Sequence, residues 1–297
     1  MKSCTRIRSR FLSATAALIL LAGTSASVAN PNELVLVAPP VDSGAPETDA
    51  YQPIADYLSS KLGRKVVYRH VDNWLSYQSE MRKGKFDIVI DGPHFVSWRM
   101  AALQHEPLVK FPGKLASVTV VRKDNPEITS VKDLAGHAVC GMAPPNFATL
   151  SFLTQFDSPA RQPRVVNVKS FKIAYENMLS GKCKAAVLRD AAYMKLDEKK
   201  GMGRIIYQGE GLPNLALTAS PRLTAEEKAK VTEALLSPEA KVAIKVFLER
   251  YNGGKDLVRV KPDEYRGHAF LLKDTWGFEL KSADAEQVKP ADDKRRK

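Results

Sequence analysis

Cysteine is scarce: three residues in a chain of 297, none in a Cys-x-x-Cys pair. The five histidines fall at 70, 94, 105, 137 and 268, with no His-Glu-x-x-His motif and no Cys/His cluster at metal-ligand spacing. A zinc or iron–sulfur scaffold is therefore excluded, and no cofactor is expected. The Gly-x-Ser-x-Gly elbow and Ser-x-x-Lys pattern are also missing, which removes the commonest serine nucleophiles. After the first thirty residues no stretch approaches the ~18 consecutive apolar residues of a membrane-spanning helix. Basic residues are not interleaved with aromatics, so nucleic acid is not an expected partner.

What is present begins with a leader. Lys2, Arg6, Arg8 and Arg10 precede an apolar run over 11–22, and Ser27 and Ala29 stand three and one before a cleavage point. This is a secretory signal peptide over 1–29. Thr24 stands where a lipidated Cys would follow Leu21-Ala22-Gly23, so a soluble exported protein is expected rather than a tethered one. Removing the leader takes four positive charges with it and lowers the net charge from +12 to +8. Part of that charge sits in the tail Lys294-Arg295-Arg296-Lys297 and reads as a solvated basic surface. Cys4 leaves with the leader, and Cys140 and Cys183 remain in an oxidising compartment. A bridge between neighbouring strands and a pair of buried thiols both fit.

Hydrophobic patterning alternates between strands and helices. Leu34-Val35-Leu36-Val37-Ala38, Val66-Val67-Tyr68 and Phe86-Asp87-Ile88-Val89-Ile90 read as strands, separated by helices over 49–62 and 73–82. Ile54, Leu58 and Leu62 give the first helix one apolar face, and Gly63 ends it. A second series follows, with strands over 116–122, 138–142, 165–168, 183–188 and 205–207 and helices over 146–156 and 171–179. A strand over 215–219 precedes helices over 225–236 and 238–250, the latter opened by Ser237 and Pro238. The fold class is α/β: two lobes, each a mostly parallel sheet flanked by helices, joined by two hinge strands. Lobe 1 is expected over 30–118 and 220–297, lobe 2 over 119–219, with hinge strands near 118–122 and 215–219. A ligand in such a fold sits between the lobes, at the carboxyl ends of strands.

The stretch over 134–150 carries the sharpest local signal. A short strand ends in Gly141-Met142-Ala143-Pro144-Pro145 and runs into a helix start at Asn146. Such a turn aims free backbone N–H groups and a positive helix end at one spot, where an anion can sit. By position at strand or helix ends, Tyr51, Asp91, His94, Phe95, Pro145, Asn146, Phe147, Thr149, Arg189 and Asp190 are the candidate ligand-binding residues. Arg189 is the leading charged candidate, and Phe147 is expected to wall the pocket. Trp74 and Trp276 are expected to fill core or interlobe space.

Five segments in order resemble one family: Tyr51-Gln52-Pro53-Ile54-Ala55-Asp56-Tyr57-Leu58 with Leu62-Gly63; Gly84-Lys85-Phe86-Asp87-Ile88-Val89 leading to Gly92-Pro93; Val131-Lys132-Asp133-Leu134-Ala135-Gly136; Met178-Leu179-Ser180-Gly181 with Lys184-Ala185-Ala186-Val187; and Leu212-Pro213-Asn214. Together they resemble the periplasmic substrate-binding proteins of phosphate, phosphite and phosphonate ABC importers. The resemblance implies a hinged, monomeric, two-lobed receptor that closes on a small anionic solute and docks to the membrane subunits of an ABC permease. In family members a Ser-Thr-Ser type run holds the phosphonate oxygens; here that place reads Pro145-Asn146-Phe147-Ala148-Thr149 and keeps one hydroxyl. Where the family often offers an acid to a ligand amine, Arg189 here precedes Asp190, which suits an oxyanion without an amine. A sensor that presents its liganded form to a histidine kinase or chemoreceptor is the alternative on the same scaffold, and an exported enzyme is a third.

Overall fold

The computed structural model describes residues 32–40, 45–261 and 263–280; the expected signal peptide lies outside them. Glu33–Val37 (β1) leads into a long helix, Ala45–Leu62 (α1), then Lys65–Tyr68 (β2), Trp74–Arg82 (α2), Ile88–Asp91 (β3), Pro93–Leu103 (α3) and Glu106–Lys110 (β4). The short strand Lys114–Leu115 (β5) opens the second series: Ser117–Arg122 (β6), Ala138–Met142 (β7), Phe147–Leu153 (α4), Arg164–Val168 (β8), Phe171–Leu179 (α5), Ala185–Arg189 (β9), Asp190–Asp197 (α6) and Gly203–Gln208 (β10). The chain returns through Leu212–Pro213 (β11) and Ala216–Ala219 (β12) to Ala225–Leu236 (α7), Pro238–Ala243 (α8), Lys245–Asn252 (α9) and Val258–Arg259 (β13).

Two sheets result. The first has the order β13-β4-β12-β3-β1-β2, the second β10-β6-β9-β7-β8. Each has a parallel half, β2-β1-β3 in one and β8-β7-β9 in the other, because apolar runs such as Leu34-Val35-Leu36-Val37 must be covered by helices on both faces. Antiparallel strands complete each sheet: β12, β4 and β13 in the first, β6 and β10 in the second. β1 pairs with both β2 and β3, and β7 with both β8 and β9. Each sheet therefore has a switch point where the helices on either side diverge and leave a crevice beyond the carboxyl ends.

Strand pairing corrects the lobe boundaries. Ala216–Ala219 was expected in the second lobe, yet it pairs with β3 and β4 in the first sheet; Val118 was expected in the first lobe, yet it pairs with Leu188 and Gln208 in the second. The chain crosses between sheets over 111–116 and 209–215, where Leu115 pairs with Leu212 and Lys114 with Pro213 in a two-stranded ribbon. Asn214 ties this ribbon down, its Nδ2 donating to the Pro112 carbonyl at 3.1 Å and its carbonyl accepting from the Tyr265 hydroxyl. The helix expected over 238–250 is also broken, because Ile244 leaves helical geometry (φ −114°, ψ 27°) while burying its side chain beneath α8 and α9.

Helix starts follow local chemistry. Asn73 caps α2 by accepting from Ser76 N at 2.9 Å, Ser170 caps α5, and Thr224 with Glu227 forms a reciprocal capping box on α7. One core fills the space between the first sheet and α1, α7, α8 and α9. Another joins α3 to Phe147 and Leu150 of α4 and to a tight helical turn over His268–Leu272, so the base of the crevice is packed from both lobes. The second sheet carries its own cores on its two faces.

Candidate functional site

A cavity of about 350 Å³ opens between the two sheets. Its walls are supplied largely by the carboxyl ends of strands: Pro39 beyond β1, Asp91 and Gly92 at β3, Met142 at β7, Lys169 and Ser170 beyond β8, and Arg189 at β9. This is where a doubly covered sheet exposes backbone ends and helix starts to a ligand. Tyr51, His94, Pro145, Asn146 and Phe147 also line it, so seven of the ten expected residues converge here.

Arg189 occupies the N-cap position of α6. Its guanidinium makes no hydrogen bond or ion pair among the described residues, and its Nε is buried without a partner. Burial pulls its pKa down, while the adjacent Asp190 carboxylate opposes the shift. A guanidinium stays charged in proteins, so the cavity wall holds a desolvated cation with its donors uncommitted. Lys169 adds a second positive charge from the same sheet. Asn146 Oδ1 accepts from Ala148 N at 3.1 Å, leaving its amide near only the Met142 sulfur at 3.7 Å.

Across the cavity, Asp91 is already committed. Its Oδ2 accepts from Arg99 at 2.9 Å and from the Tyr77 hydroxyl, and its Oδ1 accepts from Gly92 N at 2.7 Å. Arg99 and Asp91 are both fully enclosed, and burial with the Asp91 charge drives the Tyr77 phenol well above its usual range. His94 donates from Nε2 to the Pro145 carbonyl at 3.1 Å, a bond between α3 of the first lobe and the β7–α4 turn of the second. Burial lowers its pKa to about 4, so the imidazole is neutral at pH 7 and Nδ1 is the acceptor nitrogen, without a partner among the described residues. Tyr51 is almost wholly buried and stacks between Tyr68 (5.3 Å) and Tyr251 (5.4 Å). It presents a ring rather than acting as an exposed donor at a helix start, since α1 begins six residues before it.

Three expected residues stand apart from the cavity. The Thr149 hydroxyl donates to the Met142 carbonyl at 2.7 Å and sits against Gly141, where a side chain would meet it at 2.9 Å; its role is to close the β7–α4 turn. Phe95, the next residue on α3, is buried in the aromatic core with Tyr77 and Phe278, behind the His94 ring 4.3 Å away. Asp190 is the first residue of α6, its Oδ1 accepting from Ala191 N at 2.7 Å, and does not line the cavity. The helix after Asn146 spans only Phe147–Leu153, and in its first turn the Ala148 N–H is already spent on Asn146 Oδ1.

Residues that sequence reasoning passed over complete the walls, Phe171 and Tyr251 with Leu115 and Leu215 from the crossing segments, beside Trp74, which was expected in core or interlobe space. Lys169, Ser170 and Phe171 follow the end of β8 just as Asp91 follows β3, so the same strand-end rule would have found them. Tyr251, at the far end of α9, had no local signal. Trp74 lines the interlobe cavity, one of the two places expected for it, whereas Trp276 fills neither: it is 79% exposed beneath Arg82, whose guanidinium lies 4.9 Å from its ring. Cys140 and Cys183 form a disulfide, with Cα atoms 5.7 Å apart. No group of three or more metal-ligating side chains occurs among the described residues, and none of their helices is long and apolar enough to cross a membrane.

Comparison with known proteins places this architecture. The fold matches PhnD1 from Prochlorococcus marinus in complex with methylphosphonate (TM-score 0.64, 15% identity, covering 82% of this chain and 98% of that one). It matches XAC2383 from Xanthomonas citri bound to ATP with the same TM-score at 16% identity, covering 86% and 98% of the two chains. The binding protein component of an ABC phosphonate transporter from Pseudomonas aeruginosa matches at 0.59 and 14% identity, covering 86% and 93%. No curated protein matches the sequence. The family model for periplasmic substrate-binding proteins of phosphonate ABC transporters matches residues 36–265, most of the chain. Two sheets meeting at an interlobe cavity and this match together make the chain a member of the periplasmic phosphonate-type substrate-binding proteins of ABC transporters.

Proposed function

We propose that this protein captures an oxyanion of the phosphonate type in the interlobe cavity, with Arg189 as its charged anchor, and delivers it to the membrane subunits of an ABC permease. The observation that carries the reading is Arg189 itself: a guanidinium on the cavity wall whose Nε is buried and which makes no hydrogen bond or ion pair among the described residues. Such a charge is costly unless a ligand supplies the counter-ion and accepts its planar fork of donors. Lys169, the Ser170 hydroxyl and the Asn146 amide are the further donors on the same wall, which favours a doubly charged head. Asp91 has both oxygens occupied by protein donors, which disfavours a ligand amine.

Capture works by differential contact. The four donors belong to the second lobe, while Tyr51, Trp74 and His94 belong to the first, so a ligand reaching both walls favours the closed arrangement. The two crossings over 111–116 and 209–215 are the proposed hinge, and the His94–Pro145 bond is a contact that opening would break. Export through the 1–29 leader and action as a periplasmic monomer complete the proposal.

Titration calorimetry with methylphosphonate, the ligand crystallised in the Prochlorococcus relative, tests it. Arg189→Ala should weaken binding by about 1.5–3 kcal/mol, a 10- to 150-fold loss. Thermal unfolding of the ligand-free variant should be unchanged or raised, because an unpaired buried cation has been removed. Unaltered affinity would remove Arg189 from the site.

A further inference from the structure

The cavity is larger and far more aromatic than a bare oxyanion needs, and its polarity is divided. Five ring-bearing residues, Tyr51, Trp74, Phe147, Phe171 and Tyr251, contribute to its walls. The uncommitted polar donors, by contrast, all come from the second lobe: Asn146, Lys169, Ser170 and Arg189. The wall opposite is built from Pro39, Tyr51, Trp74 and Tyr251, plus an aspartate already paired with Arg99 and a histidine whose N–H is spent on Pro145. A five-heavy-atom anion such as methylphosphonate takes up the space of a few waters, roughly 100 Å³ at about 30 Å³ each. About 350 Å³ is instead the scale of cavities that hold ligands with a substantial organic body. With a small anion at Arg189, the remaining volume would hold water against aromatic surface that offers it few hydrogen bonds.

Resting on the oxyanion reading above, we infer that the physiological ligand is an aryl oxyanion: a phosphonate or phosphate monoester whose head sits on Arg189 and Lys169 and whose flat apolar body lies against Trp74 and the Tyr51–Tyr251 stack. The rings are held for this. Tyr251 is held against the buried Tyr51, and Trp74 lies at 22° to Phe95 with centroids 6.2 Å apart, so the partly exposed Trp74 and Tyr251 rings are fixed before a ligand arrives. No carboxylate in the walls is free to receive an amine, so the body is expected to be uncharged.

The test is calorimetric titration of the full mature chain with phenylphosphonate, phenyl phosphate, methylphosphonate and inorganic phosphate. Either phenyl compound should bind at least about tenfold more tightly than methylphosphonate, and the tighter of the two identifies the head group. Trp74→Ala should reduce that preference, and Phe171→Leu, at a position less embedded in the core, should reduce it too. Methylphosphonate or phosphate binding as tightly as the phenyl compounds would overturn this inference while leaving the oxyanion receptor intact. Failure of all four to bind would overturn both.

Discussion

The two lobes solve the same folding problem with different chemistry. In the first, Asp87, Asp91, His94, Arg99 and His105 are all buried; in the second, Asp197 is the only buried carboxylate, histidine, lysine or arginine among the described residues. Asp197 is fully served by neutral donors, the hydroxyls of Tyr175 and Tyr193 and the N–H groups of Met202 and Gly203. The second lobe relies instead on a covalent staple. Cys140–Cys183 ties β7 to the segment entering β9, the two strands whose carboxyl ends carry the Pro145–Phe147 turn and Arg189. The lobe that bears the unpaired cation is thus held by a bond indifferent to charge. The first lobe, which lines the cavity with Tyr51, Trp74 and Tyr251, uses an internal ion pair between Asp91 and Arg99.

Breaking the Asp91–Arg99 pair should give the largest effect. Arg99→Met strands a buried carboxylate, and the first lobe should lose about 3–5 kcal/mol, seen as a lowered or separated transition in scanning calorimetry. A single transition at the native temperature would show that the pair contributes nothing. In the second lobe, Cys140→Ala with Cys183→Ala opens a loop of 43 residues' separation and should cost about 4 kcal/mol on the chain-entropy account. Adding reductant to the native chain should reproduce that loss.

Acid sharpens the contrast. Burial lowers His94 to about 4 and His105 to about 3, below the 6.5 of an unfolded histidine. Below pH 6.5 the unfolded chain therefore binds protons that the folded one refuses, so stability is full above that pH and declines as it falls. By pH 4 each contributes a loss of about 3 kcal/mol, and the first lobe should melt before the second. Replacing both histidines with Gln should flatten the slope between pH 6.5 and 4; an unchanged slope would place the titration elsewhere. The smallest effect is expected from Asn146→Ala, which removes the cap of α4 and should cost about 1 kcal/mol by denaturant melting, confined to the second lobe.

Much of the cavity was legible because strand ends are legible. Apolar runs closed by Asp91-Gly92-Pro93 and by Arg189-Asp190 mark where buried strands stop, and the α/β rule puts a ligand there. What failed did so for local reasons of packing. Thr149 looked available until Gly141, lacking a side chain, let its hydroxyl reach the Met142 carbonyl. Phe95 is one residue from His94, yet a step of one on a helix turns a side chain by about 100°, from cavity to core. Trp74 read as filler because an aromatic near a helix start fits either role, and only the neighbouring lobe decides which face is left open.

By itself the sequence determined the α/β series and the two-lobed class, since hydrophobic period and turn residues act within a few positions of one another, and five segments in order carried the family resemblance. It left both cysteine states open, because the pairing depends on β7 and β9 being neighbours, a matter of strand order. The points where the chain passes between the two sheets, the partnering of Asp91 with Arg99, and the lack of a partner for Arg189 among the described residues were settled only in three dimensions. Whether a charge is neutralised or left for a ligand depends on which distant groups the fold brings within about 3 Å of it, and no local pattern records that distance.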